Sequence, residues 1–100
     1  MKISEETRNK AASVDGICKE YFHTDKDLIS KSRDENTCLA RSFSWHILHE
    51  EMKMSVKTIA LIYHRCIRNV QYTLAKMRFL THATKDFDIY KKDLMERIKV

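Results

Sequence analysis

The sequence has 100 residues, of which 43% are hydrophobic and 33% are charged, and it contains one glycine and no proline. This length corresponds to one domain, and the scarcity of the turn-forming residues Gly and Pro argues against a fold built from β-strands. We therefore predict an all-α fold, a compact bundle of five to six helices.

The positive charges are concentrated in one part of the chain. Residues 53–85 contain seven of the 19 Lys and Arg residues and none of the 14 Asp and Glu residues, within a net charge of +5. A surface that has no particular partner usually interleaves the two signs. A long stretch of one sign therefore predicts a polyanionic partner, most commonly nucleic acid.

The cysteines and the apolar runs indicate the compartment. The three cysteines form no CxxC pair, which is typical of a reduced chain that uses its thiols as core residues. The first ten residues, MKISEETRNK, lack the apolar segment of a signal peptide, and no apolar run approaches the roughly 18 residues of a membrane span. We expect a soluble, cytoplasmic protein without a membrane partner.

The first helix is predicted to begin near Ser13 and to break at His23. Residues 1–12 are polar and are expected to form a lead-in to one domain that spans residues 13–100. The apolar positions of this first helix repeat at helical spacing: Val14, Ile17, Cys18, Tyr21 and Phe22.

A short helix and a loop are predicted to follow. Thr24 has the character of an N-cap, with Asp27 as the acid three residues on, and this pattern predicts a helical turn that carries Leu28 and Ile29. The polar segment SKSRDEN, residues 30–36, is expected to be a loop.

A long helix is predicted from about Thr37 to Met52, with Trp45 as a core anchor. His46 and His49 share a face of this helix, with Cys38 two turns earlier, but the spacing fits no familiar zinc pattern. We therefore predict no metal site. The apolar stripe of the helix is Cys38, Leu39, Phe43, Ile47 and Leu48.

Two shorter helices and a closing helix complete the chain. Ser55 is the N-cap candidate of the first of these helices, and a cluster at His64 and Arg65 then interrupts the apolar pattern. A second helix is predicted to start at about Cys66, and the last helix at about Lys85. The break has the character of the turn in a helix-turn-helix. The predicted inward positions are Val56, Ile59, Ala60, Ile62 and Tyr63 in the first helix, Ile67, Val70, Leu74, Met77 and Leu80 in the second, and Phe87, Tyr90, Leu94 and Ile98 in the last.

A helix-turn-helix presents the N-terminus of its second helix to the major groove of DNA. That end of the predicted helix carries Arg68 and Asn69, and these side-chain types pair with guanine and adenine respectively. Free N–H groups at the helix start also favour phosphate. The alternative is an ordinary surface helix whose polar side chains are solvated.

The order of motifs resembles a known family. The segments CKEYFHTDKDLISKSR, CLARSFSWHIL, SVKTIALIY and KDFDIYKKDLMERI are similar to successive helices of the C-terminal DNA-binding domain of the DnaA family of bacterial chromosomal replication initiators. The resemblance covers about residues 13–98. It implies the fold of that domain and binding to double-stranded DNA.

The sequence departs from the family pattern at the turn. The Gly-Gly-Arg-Asp-His-Thr-Thr of the family becomes HRCIRN, residues 64–69, which is one residue shorter. Arg65 then takes the position of the motif arginine, Cys66 and Ile67 replace the Asp-His pair that reads bases, and Arg68 and Asn69 replace the threonines. Loss of the Asp-His pair removes the direct base readout of the family, and Arg68 and Asn69 are two new polar side chains that could provide another. Binding to double-stranded DNA is therefore expected to be either sequence-directed or general.

The resemblance also implies which residues contact DNA. A basic loop with Lys31 and Arg33 is expected to lie toward the minor groove, whose negative potential attracts cations. Arg41 and Lys57 are expected to contact phosphates. The predicted contacts are Lys31, Arg33, Arg41, Lys57, Arg65, Ile67, Arg68, Asn69 and Tyr72.

No phosphate loop, nucleophile elbow or paired catalytic carboxylates are recognisable in the sequence. We therefore expect a protein that is not an enzyme and that needs no cofactor or small-molecule substrate. The predicted function is double-stranded DNA binding in replication initiation or its regulation. The alternative is a helical protein–protein interaction module that kept the fold and lost DNA readout.

Overall fold

The protein folds into a bundle of α-helices in the computed structural model, which describes residues 3–99. The helices are α1 (Glu5–Tyr21), α2 (Glu35–Glu50), α3 (Val56–Tyr63), α4 (Ile67–Ala83) and α5 (Lys85–Lys99). Helices α2 and α5 each pack against α1 and α4, and α3 packs against α4. A radius of gyration of 12.5 Å is that of a compact domain of this length, and the all-α prediction is confirmed.

Short polar side chains start three of these helices. Ser4 and Ser55 each accept a hydrogen bond from the amide three residues on, at 3.1 Å in both cases, and Asp34 does the same at 3.0 Å. Such caps satisfy amides that lack a helical partner. The prediction of Ser55 as an N-cap is therefore confirmed. Cys66, at the start of α4, makes no side-chain capping bond.

The core is centred on α2, which is buried on several sides. The Trp45 ring packs edge-on against Tyr63 at a centroid distance of 5.5 Å, and Phe43 stacks on Phe22 at 5.3 Å. Trp45 is only 2% exposed, which confirms it as a core residue. Because α2 follows the loop with Lys31 and Arg33 and packs against α4, it orients two elements that carry predicted DNA contacts.

A buried polar network ties three helices together. The Asp15 carboxylate of α1 accepts hydrogen bonds from the hydroxyls of Ser44 in α2 and Tyr63 in α3, the latter at 2.5 Å. Burial raises the pKa of Asp15, and burial beside this carboxylate raises the pKa of Tyr63 as well. The network satisfies groups that would otherwise be costly to bury.

The N-terminal boundary differs from the prediction. The first helix begins at Glu5 rather than near Ser13, and Ala11 is 2% exposed within the core. The Ser4 cap and the small Ala11 side chain allow residues 5–12 to extend the packed helix, although their other side chains are mostly polar. Residues 3–12 therefore belong to the bundle, and the remainder of the predicted lead-in lies outside the described residues.

The predicted short helix at residues 24–29 was wrong. The segment between α1 and α2 forms a single turn instead, in which the Ser30 amide bonds to the Asp27 carbonyl at 3.0 Å. Its carbonyls are occupied by side chains from α2 and from the α3–α4 turn, so they do not accept helical hydrogen bonds. Leu28 alone of the two apolar residues is buried, whereas Ile29 is 38% exposed.

Ile67 was also predicted to point inward, and it is 45% exposed. It is the first residue of α4, and the buried line of that helix starts one turn later at Val70 and continues through Leu74 and Met77. Ile67 therefore lies at the surface, where its second predicted role, contact with DNA, requires it.

Candidate nucleic-acid interface

Six of the nine predicted contact residues line one groove. The groove runs between the loop at residues 28–33, helix α2 and helix α4, and we call it the basic groove. Of the described residues, those lining it include five cations and no Asp or Glu. The predicted contacts that line it are Lys31, Arg33, Arg41, Arg65, Asn69 and Tyr72, and Lys76 is the cation that the prediction missed.

Arg41 holds the loop from the side of α2. Its Nε donates to the Leu28 carbonyl at 3.0 Å, and its Nη2 donates to the carbonyls of Ser30 at 2.8 Å and Ser32 at 3.1 Å. A planar guanidinium can serve several acceptors in this way because its donors are fixed in a fork. Arg41 was predicted to contact phosphate, and the structure gives it a role in fixing the loop.

Arg65 holds the same loop from the turn between α3 and α4. Its Nη1 donates to the carbonyls of Ile29 at 3.0 Å and Tyr63 at 2.7 Å, and its Nη2 donates to the Ser30 carbonyl at 2.8 Å. Burial, and then the neighbouring Arg41 charge, lower the pKa of Arg65. Two guanidiniums thus share one carbonyl, and they join the basic loop to the start of α4.

Sequence reasoning missed this anchoring role. The available signal was that neither Arg41 nor Arg65 has an Asp or Glu within five residues in the sequence, so that each cation needs acceptors from elsewhere. Backbone carbonyls of a loop without helical hydrogen bonds supply those acceptors here. The resemblance to the family named both residues, but only as contacts to DNA.

Lys31 and Arg33 extend from the anchored loop and are exposed. Among the described residues, neither takes part in an ion pair. The nearby Asp34 instead caps α2 and pairs with Lys26 at 2.9 Å. Hydrogen bonds from Ser32 and Lys26 hold the pKa of Asp34 far below its usual range. Asp34 is thus bonded to partners other than Lys31 and Arg33, and the charged groups of these two residues face the solvent.

The N-termini of α3 and α4 lack the acids that accompany the other helix starts. The first turns of α1, α2 and α5 carry acidic residues, whereas those of α3 and α4 carry none. The partial positive charge of a helix N-terminus is therefore not compensated by a side chain at these two positions. Lys57 in the first turn of α3, and Arg68 and Asn69 in the first turn of α4, are all exposed there.

Not every cation of the acid-free stretch remains unpaired. Arg78 of α4 contacts Glu50 at the end of α2, with Nη2 and Nε both 2.9 Å from one carboxylate oxygen. Glu50 lies just before the stretch in sequence and reaches it through the packing of α2 on α4. The unbalanced charge is therefore concentrated toward the first half of α4, the loop and the start of α3.

The predicted absence of a metal site concerned His46, His49 and Cys38. His49 Nδ1 is hydrogen-bonded to the Met54 carbonyl at 2.8 Å, and His46 is buried. No group of three potential metal ligands of the types His, Cys, Asp and Glu occurs within residues 3–99. Along the same residues, no helix combines the length and apolar character needed to cross a lipid bilayer.

Comparison with known proteins adds no relative to these observations. No protein-family model matches the chain, and no curated protein is significantly similar to it. The resemblance to the DnaA family therefore stays a prediction, based on the motifs quoted above.

Proposed function

We propose that this protein binds double-stranded DNA in the cytoplasm through a helix-turn-helix formed by α3 and α4. The recognition helix, from about residue 66, would lie in the major groove, and the loop with Lys31 and Arg33 would lie toward the adjacent minor groove. The observation that carries the proposal is the basic groove, which brings six predicted contacts together without an acid. The family resemblance supports a role in replication initiation or its regulation.

The residues divide into two roles under this proposal. Arg68 and Asn69 are exposed on the first turn of α4 and are suited to hydrogen-bond base edges. Lys57, Lys31 and Arg33 are suited to phosphates and to the minor groove. Arg41 and Arg65 hold the loop at a fixed position relative to α4, so that both sets of contacts can form at once.

One observation favours the alternative, a protein–protein interaction module. Ile67 occupies the place where the family has a base-reading histidine, and its apolar side chain is 45% exposed. An exposed apolar group at the helix start suits a protein surface, and it cannot form the hydrogen bond to a base edge that a histidine can form. This alternative predicts weak binding to DNA at every salt concentration.

The test is fluorescence anisotropy with three labelled 20-base-pair duplexes over a salt series. One duplex carries the family's nine-base-pair initiator box, one a randomised sequence and one an A-tract with a narrow minor groove. A protein that neutralises about five phosphates should lose affinity with a log–log slope near −4 to −5. The absence of binding to all three duplexes at low salt would overturn the proposal and leave the interaction module.

A further inference from the structure

The exposed face of α4 carries two large aromatic side chains, Tyr72 at the edge of the basic groove and Phe79 outside it. Tyr72 is 69% exposed and Phe79 is 68% exposed, more than any other large apolar residue of the described chain. They are seven residues apart, which is about two helical turns and about 10 Å along the axis. They therefore lie on the same face of the helix.

Positive charge accompanies these rings. Lys76 lies between them along the helix and is exposed, and Arg68 lies one turn before Tyr72 on the same face. Helix α4 contains no Asp or Glu. Tyr72 and Lys76 also line the basic groove, so the aromatic face continues directly from it. We call the surface of Arg68, Tyr72, Lys76 and Phe79 the aromatic face.

An occupant of the aromatic face should carry negative charge and flat apolar groups. A second copy of this chain is disfavoured because two such faces would bring like charges together. An amphipathic protein helix usually offers a continuous apolar stripe to a hydrophobic groove, whereas here a lysine separates two single rings. Unpaired nucleotides match the pattern, because each couples a phosphate to a base that stacks on aromatic side chains.

We propose that the aromatic face binds single-stranded nucleic acid, with bases stacked on Tyr72 and Phe79 and phosphates near Lys76 and Arg68. This inference goes beyond duplex binding and does not depend on it. Arg68 and Tyr72 are shared with the proposed duplex contacts, whereas Phe79 lies three turns beyond the first turn of α4 and does not line the basic groove. Phe79 is therefore the residue that distinguishes the two activities.

The first test measures the anisotropy of labelled dT12 and rU12 with the full chain and with two variants. Phe79→Ala should lower the affinity for whichever strand the wild-type protein binds more tightly, by roughly five- to a hundredfold. This is the range expected for the loss of one stacked base. Leu61→Ala is the matched control, since Leu61 is an exposed apolar residue (41%) on α3, outside the aromatic face. It should leave the affinity unchanged.

Failure of wild-type protein to bind either strand, or equal affinity of Phe79→Ala and wild type, would overturn the inference. A blunt 20-base-pair duplex, measured in parallel, separates this result from the proposed function. Duplex binding without strand binding rejects the aromatic-face inference alone. Strand binding without duplex binding rejects the helix-turn-helix proposal alone.

The second test places a reporter at the site. Phe79→Trp adds an exposed indole, whose emission lies to the red of the buried Trp45. Stacking of a base on this indole should quench the red emission as the tighter-binding strand is added. If an acidic amphipathic peptide binds in a Phe79-dependent manner and neither strand does, the face docks a protein and the inference fails.

Discussion

At the level of single residues, three interhelical turns place a non-glycine residue in the left-handed conformation. His23, Lys53 and His64 have φ values of 58°, 59° and 55°. Glycine is the usual residue at such helix ends, because a side chain is disfavoured there. His64 lies in the turn of the proposed helix-turn-helix, and its amide bonds to the Ala60 carbonyl. Because His64 carries a side chain, its left-handed backbone conformation lowers the free energy of unfolding relative to a glycine at this position.

The first prediction follows from that cost. His64→Gly should raise the free energy of unfolding by about 0.5–1 kcal/mol, since glycine adopts the left-handed conformation without strain. His64→Ala is the control, because alanine removes the same exposed ring and keeps the strained backbone. Urea denaturation at pH 7.5 measures both variants. Equal stability of the glycine and alanine variants would contradict this account of the turn.

The second prediction concerns His46, which is 2% exposed and has no hydrogen-bond partner on either ring nitrogen within the described residues. Burial, assisted by the charge of Lys91, lowers its pKa from 6.5 to about 4. As the pH falls below about 6.5 the unfolded chain takes up the proton first. The contribution of His46 to the free energy of unfolding therefore decreases as the pH falls from 6.5 to 4. The total decrease is at most about 3 kcal/mol.

His46→Leu tests this prediction, because leucine keeps the apolar volume and does not titrate. Urea denaturation at pH 7 and pH 4.5 gives the loss of stability for wild type and for the variant. The variant should lose less, and the difference between the two losses isolates His46 from Asp15 and the other titrating groups. Equal losses in both proteins would show that His46 is not the group responsible.

At the level of elements, the loop between α1 and α2 is held by contacts from distant parts of the chain. Arg41 and Arg65 together donate to four of its carbonyls, and the loop has one internal backbone turn, from Ser30 to Asp27. Charge-assisted bonds of this kind contribute about 1.5–3 kcal/mol each to stability in typical cases. These two side chains thus supply most of the contacts that the carbonyls of this loop receive from outside it, beside one from Cys38.

The third prediction is that Arg41→Lys loosens this loop. A lysine ammonium lacks the planar fork that reaches three carbonyls, so hydrogen exchange at the Ser30 amide should become faster by at least tenfold. Amides in the core of α2 should change less. Arg33→Lys is the matched control, since Arg33 is exposed in the same loop. Unchanged exchange at Ser30 in the Arg41 variant would show that the loop is ordered by other contacts.

The helices themselves were largely predictable from local signals. The Ser55 cap, the break at His64 and the start of α5 at Lys85 are where the sequence pattern indicated, because capping and helical periodicity act over a few residues. The helix expected at residues 24–29 failed for the opposite reason. Its local capping signal was overridden by Arg41 and Arg65, which reach the loop from 13 and 36 residues away.

The candidate site was predictable as a set of residues but not as an arrangement. The motifs identified Lys31, Arg33, Arg65 and Asn69 individually, and only the packing of α2 on α4 shows that they converge on one groove. Lys76 was missed because it lies ten residues, nearly three turns, beyond the expected helix start at Cys66. Phe79 was missed because the prediction followed only the inward positions of this helix, such as Val70, Leu74 and Met77, and assigned no role to an apolar residue outside that line, which is 68% exposed.

At the level of the whole molecule, the position of the charge matters more than its total. The net charge is +5, which would attract any polyanion weakly from all directions. The exposed loop, α2, the α3–α4 turn and α4 instead bring five cations into the basic groove, whose lining includes no acid among the described residues, and the first turns of α3 and α4 carry no acid either. Elsewhere, cations and acids occur together, as where Lys10 shares a patch with Glu5 and Glu6.

The fourth prediction separates net charge from its placement. Lys31→Gln, Lys57→Gln and Lys10→Gln each remove one positive charge, and all three residues are exposed. The first two should weaken binding to every duplex and reduce the log–log salt slope by about 1, because each removes a phosphate contact. Lys10→Gln should leave both the affinity and the slope near the wild-type values. Equal effects of all three variants would mean that DNA responds to overall charge, and the proposed orientation of α4 and the basic loop on the duplex would then be wrong.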